Sequence, residues 1–146
     1  MGRYFAVLIL ATLTAHSEEF TDGAGITWYY TIEDGGASIY SSANANGAVS
    51  IPGELNGVSV KKIINLGAQI FGWPNYTVTS LNIPYGVTHI GPYAFNRCAS
   101  LTSLTLPETL THIQEGAFFD NWSLTNVVIP SSVTNIGMYA LSLIHI

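Results

Sequence analysis

Shifted along itself by 23 residues, this chain lays its own apolar positions over one another: Ile83-Pro84 falls on Leu106-Pro107 and then on Ile129-Pro130. The register holds well beyond that pair. Val87 meets Leu110 and Val133, Ile90 meets Ile113 and Ile136, Ala94 meets Ala117 and Ala140, and Phe95 meets Phe118 and Leu141. A fixed period of this length narrows the available folds sharply, because one such unit cannot bury its apolar face alone and must stack on its neighbours. The expected architecture is therefore a mainly β solenoid of about 23-residue repeats, built to present a surface rather than to enclose a pocket.

Each repeat supports that reading internally. In Leu101-Thr102-Ser103-Leu104-Thr105-Leu106, Leu104 and Leu106 are two apart, the spacing that sends both side chains to one face of a strand. Pro107 follows, lacking the amide hydrogen a ladder needs, and so ends the strand in a turn. The segment Leu110-Thr111-His112-Ile113 then returns apolar residues to the interior before Ala117-Phe118 completes the unit. A looser copy begins at Ile51-Pro52 and passes through Val60, Ile63 and Phe71; it is 32 residues from Ile51 to Ile83, and the surplus is assigned to turns at 54–58, 66–69 and 73–76.

Upstream, Ile26, Trp28, Tyr30 and Ile32 alternate with Thr27, Tyr29, Thr31 and Glu33 as in a half-buried strand. Asp34-Gly35-Gly36 is a turn, 37–40 a returning strand and 41–47 a loop, so residues 17–50 are expected to form an N-terminal β-hairpin cap over the first end of the stack. Residues 51–146 are then the array, with one stretched and three regular copies. The far end shows no such cap, which is the pattern expected of a truncated array or a non-native tail. Before the cap, residues 1–16 combine Arg3 with an apolar run from Tyr4 to Leu13 and small residues ahead of Ser17, the layout of a secretory signal peptide. The run is about half of the roughly 20 residues that a membrane span requires. A secreted or cell-surface location and no membrane span are expected.

Composition excludes several function classes. Only 9% of residues are charged, against roughly 25% in an average soluble protein, so Ser, Thr, Asn and Tyr must wet the surface. Four Lys plus Arg face nine Asp plus Glu with no basic run, which makes nucleic acid a poor partner. The single cysteine, Cys98, has no internal partner for a disulfide and is read as a core residue. The carboxylates are scattered, no Gly-x-Ser-x-Gly elbow occurs and no phosphate loop is present, so no enzyme activity and no cofactor are expected. His89 and His112 share one register position, with Asn135 next and Lys62 before; two imidazoles about 5 Å apart make an incomplete metal site, and a surface ladder is the reading adopted, with no metal.

Aromatic residues outside the core register are the candidate partner-binding surface: Trp73, Tyr76, Tyr85, Tyr93, Phe119, Trp122 and Tyr139. Aromatics held on a rigid frame are common anchors for proteins and sugars. Asn75-Tyr76-Thr77 and Asn121-Trp122-Ser123 both read as N-glycosylation sequons.

The run Leu-Thr-Ser-Leu-Thr-Leu-Pro, then Leu-Thr-His-Ile, then Gly-Ala-Phe, with its sister copy through Ile90-Gly91, Ala94-Phe95 and Cys98, closely resembles the BspA-type leucine-rich repeat family over about two thirds of the chain. The departures are the stretched first copy, Asn121 in the place of Cys98, and Leu141 in the place of Phe. The resemblance implies a bacterial secreted or surface leucine-rich-repeat solenoid with no shared catalytic residues. It further implies an exported, non-enzymatic protein-binding or adhesion module whose partner is a host matrix or cell-surface protein. A passive spacer in a longer envelope protein and a carbohydrate-binding module using the exposed aromatics are the alternatives.

Overall fold

The computed structural model describes residues 17–64 and 75–144. The leader expected over 1–16 lies outside them, as do Phe71 and Trp73 of the stretched copy. Among the described residues every regular element is a strand. One sheet takes β1 (Glu18–Thr21), β2 (Thr27–Glu33), β3 (Gly36–Ala43), β6 (Val58–Ile63), β8 (His89–Ile90), β10 (His112–Ile113) and β11 (Asn135–Ile136) in that spatial order, with β5 (Glu54–Leu55) paired to β6. The other takes β4 (Gly47–Ser50), β7 (Val78–Asn82) and β9 (Ser103–Thr105). From β7 to β10 the chain alternates between the two sheets, and its successive returns to each one pair in parallel.

The coil is held by columns of equivalent residues. Ile39, Ile63, Ile90, Ile113 and Ile136 stand side by side across five strands, each paired directly with the next. The first four are fully buried, while Ile136 on the last strand is 52% exposed. Phe95 and Phe118 stack at 5.4 Å between ring centroids, and Ala94, Ala117 and Ala140 beside them are buried. The small residue leaves the room that the ring fills. Hydroxyls reinforce the stack: Thr88 donates to the Lys61 carbonyl, Thr111 to that of Thr88 and Thr134 to that of Thr111.

The N-terminal hairpin forms as β2 and β3, with Asp34 and Gly35 at φ 51° and 73°, the mirror-image turn that matches strand twist. Three details differ from the expectation. A third strand, β1, pairs with β2, because Trp28 Nε1 reaches Asp22 Oδ2 and the Tyr30 hydroxyl reaches Glu18 Oε2, tying that segment down. The loop expected over 41–47 shrinks to 44–46, since β3 runs on to Ala43 and Gly47 already opens β4, which pairs with β7 of the array. The expected turn at 54–58 is a second hairpin, β5–β6, closed by Asn56-Gly57 at φ 49° and 80°. Because β3 pairs in parallel with β6, the antiparallel meander continues the ladder and buries Ile26, Trp28, Tyr30, Ala37 and Ile39 against it.

In the last copy the two sides part company. β11 pairs with β10, but among the described residues no ladder joins 126–128 to β9; Val128 falls at the outward position that Thr105 and Asn82 hold in the paired strands and is exposed like them.

Candidate interaction surface

After each visit to the first sheet the chain crosses an edge of the solenoid through a six-residue turn at 92–97 and again at 115–120. These turns are laddered. The amides of Tyr93, Phe95 and Arg97 donate to the carbonyls of Glu115, Ala117 and Phe119, and those of Gly116, Phe118 and Asp120 to Met138, Ala140 and Ser142. Alternate residues must twist to aim every amide along the stack, and left-handed φ values recur at equivalent places: Tyr93 at 53°, Gly116 at 58° and Tyr139 at 59°, then Arg97 at 56° and Asp120 at 67°. A non-glycine residue held there costs on the order of 1–2 kcal/mol. This edge is thus rigid and strained, the kind of backbone that often carries function.

Its side chains meet in three groups. The Tyr93 ring lies over Gly116, where a Cβ would fall 2.3 Å from it, and its hydroxyl donates to Glu115 Oε1 at 2.7 Å. That bond, above all, raises the phenol above its ordinary range. Phe119 meets Tyr139 edge to face at 6.4 Å. Arg97 Nε pairs with Asp120 Oδ2 at 2.8 Å, one coil apart, and the indole of Trp122 donates to the other oxygen of the same carboxylate.

The seven aromatics singled out by sequence are therefore not one set. Tyr93, Phe119, Trp122 and Tyr139 share this edge, the first two half-buried and the last two 63% and 55% exposed. Tyr76, 66% exposed, occupies the repeat position of Trp122 two coils earlier. Tyr85 sits in the turn after Pro84, on the opposite edge. Trp73 falls outside the described residues. Arg97 and Asp120 were missed, although a charge pair one period apart carries the same signal as the apolar columns.

Both sequon asparagines are interior. Asn75 is buried, and its Oδ1 accepts from the amides of Thr77 and Val78. Asn121 is fully buried and donates from Nδ2 to the carbonyls of Phe95 and Phe118. Cys98 stands between them in the same column, paired across a bridge to Asn75; burial pushes its thiol up to about 12.

On the first sheet, Ser38, Lys62, His89, His112 and Asn135 form a polar column. The two imidazoles stack at 4.3 Å and 8°, and each Nδ1 shares a hydrogen bond with the preceding threonine hydroxyl. Desolvation, then the neighbouring His112 and Lys62, lower the His89 pKa. Parallel rings direct their Nε2 lone pairs alongside each other rather than toward one point, a poor arrangement for sharing a metal. Among the described residues no group of three or more His, Cys, Asp or Glu side chains could hold a metal ion.

Compared with known proteins, residues 61–146, more than half of the chain, match the family described as BspA type leucine rich repeat region. No curated protein matches in sequence. Among solved structures, a leucine-rich repeat protein from Bacteroides capillosus is similar at 28% identity and a TM-score of 0.64, over 79% of this chain and 87% of its own. One from Bacteroides ovatus is 24% identical with a TM-score of 0.65, over 82% of this chain and 32% of its own. The leucine rich repeat protein of T. pallidum is 23% identical with a TM-score of 0.62, over 84% of this chain and 66% of its own. The last two likenesses concern the fold alone.

Proposed function

Because the chain belongs to the BspA-type leucine-rich repeat family, we propose that it is an exported adhesion module that binds a host matrix or cell-surface protein through the laddered edge of its solenoid. The family is generally a non-enzymatic repeat scaffold for protein interaction, and this chain adds a patch suited to that task. The observation that carries the reading is the gathering of Tyr93, Phe119, Trp122, Tyr139 and Arg97 on one strained, hydrogen-bonded edge. Trp, Tyr and Arg dominate binding energy at protein interfaces, and rings held in place lose little entropy on docking. The less exposed residues hold the exposed ones: half-buried Phe119 braces Tyr139, and buried Asp120 fixes the indole of Trp122.

The test is saturable binding of the purified chain to immobilised extracellular-matrix proteins, with Trp122→Ala and Tyr139→Ala each expected to weaken it roughly tenfold. Ser131→Ala, exposed in the turn after Pro130 on the opposite edge, should leave it unchanged. Binding that never saturates, or that ignores both aromatic substitutions, would defeat the reading. Export has its own measurement: mass spectrometry of the protein recovered outside a bacterial host should find its N-terminus within a residue or two of Ala15. An uncleaved, retained chain would contradict it.

A further inference from the structure

Three departures from the repeat meet at one cleft on the edge opposite the aromatic patch. The inserted hairpin β5–β6 brings Glu54 and Ser59 to its wall. Lys61 stands where the regular copies have Thr88, Thr111 and Thr134, whose hydroxyls are all spent on the preceding coil. Its stem lies across Gly36, where a Cβ would fall 2.4 Å from Lys61 Cγ, so the side chain is guided by the hairpin that covers the stack. Tyr85 stands where later copies have Glu108 and Ser131, and is 79% exposed. Gly53, Val60 and Gly86 complete the lining of a cleft of about 550 Å³. Gly86, at φ 102°, leaves the floor bare in a conformation that side-chain-bearing residues rarely adopt.

Among the described residues, the side chains of Glu54, Ser59, Lys61 and Tyr85 make no hydrogen bond or ion pair within the protein. An aromatic face, a carboxylate, an ammonium and a hydroxyl are thus all uncommitted around one hollow. The balance of charge selects the ligand. An apolar molecule would strand both ions without partners. An anion would face Glu54, and a cation would face Lys61. A neutral polyol satisfies both at once, because each of its hydroxyls can donate to a carboxylate or accept from an ammonium. A pyranose adds the apolar C–H face that can lie on a tyrosine ring. We propose that this cleft is a saccharide-binding subsite, with Tyr85 as the stacking platform and Glu54, Lys61 and Ser59 as hydroxyl partners. It lies on the other edge from the adhesion patch, so either site can fail without the other.

Saturation-transfer NMR with four neutral disaccharides, cellobiose, maltose, lactose and the dimer of N-acetylglucosamine, tests this on the full chain. At least one should bind saturably at millimolar concentration. Tyr85→Ala should weaken it roughly tenfold or more, whereas Tyr85→Phe, which keeps the ring, should retain it. Glu54→Gln should weaken it as well, and Asn126→Ala, in the last coil, should not. Circular dichroism melts should coincide for all variants, since Tyr85, Glu54 and Asn126 are exposed. The proposal is overturned if none of the four binds, if binding survives Tyr85→Ala, or if free glycine displaces the sugar, which would mark the charge pair as a zwitterion site.

Discussion

Tyr93 and Gly116 show how one residue pair can set the shape of a whole edge. Tyr93 takes a left-handed φ of 53° so that its amide joins the turn ladder, and its ring then covers the next coil at the point where a Cβ would fall 2.3 Å away. Glycine is the residue that meets both demands at 116, since it tolerates φ 58° and offers no side chain. Gly116→Ala should therefore destabilise the fold by about 1–3 kcal/mol in urea denaturation. Adding Tyr93→Ala should recover part of that cost, because the clash goes while the backbone strain stays; strict additivity would show that the ring is not the obstacle. Cys98 makes the opposite point, a reactive residue type silenced by its place. With its thiol buried and pushed up to about 12, native protein at pH 8 should not react with a thiol-specific disulfide reagent, while the denatured chain should react fully. Rapid labelling of the native state would mean that the column of Asn75, Cys98 and Asn121 opens in solution.

The polar column on the first sheet carries its own pH dependence. His89 is partly desolvated in the stack and is flanked by the stacked His112 on one strand and by Lys62 on the other, so the folded state resists protonating it. Its folded pKa is lowered, which fixes the sign: the unfolded chain takes up the proton first, near 6.5, so stability is intact above that value and is lost as pH falls through it. The melting temperature should accordingly drop between pH 7 and 5. His89→Asn installs the side chain that Asn135 already places in this column, and should flatten that drop. An unchanged pH profile would assign the acid sensitivity elsewhere. Most of this column is legible as a shift of 23 residues, and Lys62 aligns with it once Ile63 is set on Ile90. Ser38 and Ile39 are not legible that way, because they reach the column on the return strand of an antiparallel hairpin, and the parallel pairing of that strand with β6 has a register irregularity between Ala37 and Ser38.

Across the whole molecule, period dictates fold because each coil is stable only when covered by its neighbours, and the apolar columns say which residues do the covering. What period cannot reveal is whatever breaks it. The cleft at Tyr85 joins an insertion, a ladder position where Lys61 replaces the threonine of later copies, and a ring where later copies have Glu108 and Ser131, so none of the three recurs; the β5–β6 hairpin announced itself only in Asn56-Gly57 between Leu55 and Val58. The sequons are local motifs that carry no signal of burial, and the column places Asn75 and Asn121 inside. Nearest-neighbour stacking also implies a gradient along the axis. Ile113 is covered on both sides by Ile90 and Ile136, whereas Ile136 has Ile113 on one side and is 52% exposed. Chemically identical truncations should then cost different amounts: about 3 kcal/mol for Ile113→Ala, from lost burial plus the cavity left behind, and less than about 1 kcal/mol for Ile136→Ala. Hydrogen exchange should follow the same order, with the Gln114 amide, bonded to the Ile90 carbonyl, protected longer than amides of the unladdered segment 126–128. Equal costs for the two isoleucines would mean that something covers Ile136 in solution. Sedimentation velocity would then identify the cover, since a second copy of the chain would double the mass, and dissociation on dilution would restore the difference between the two substitutions.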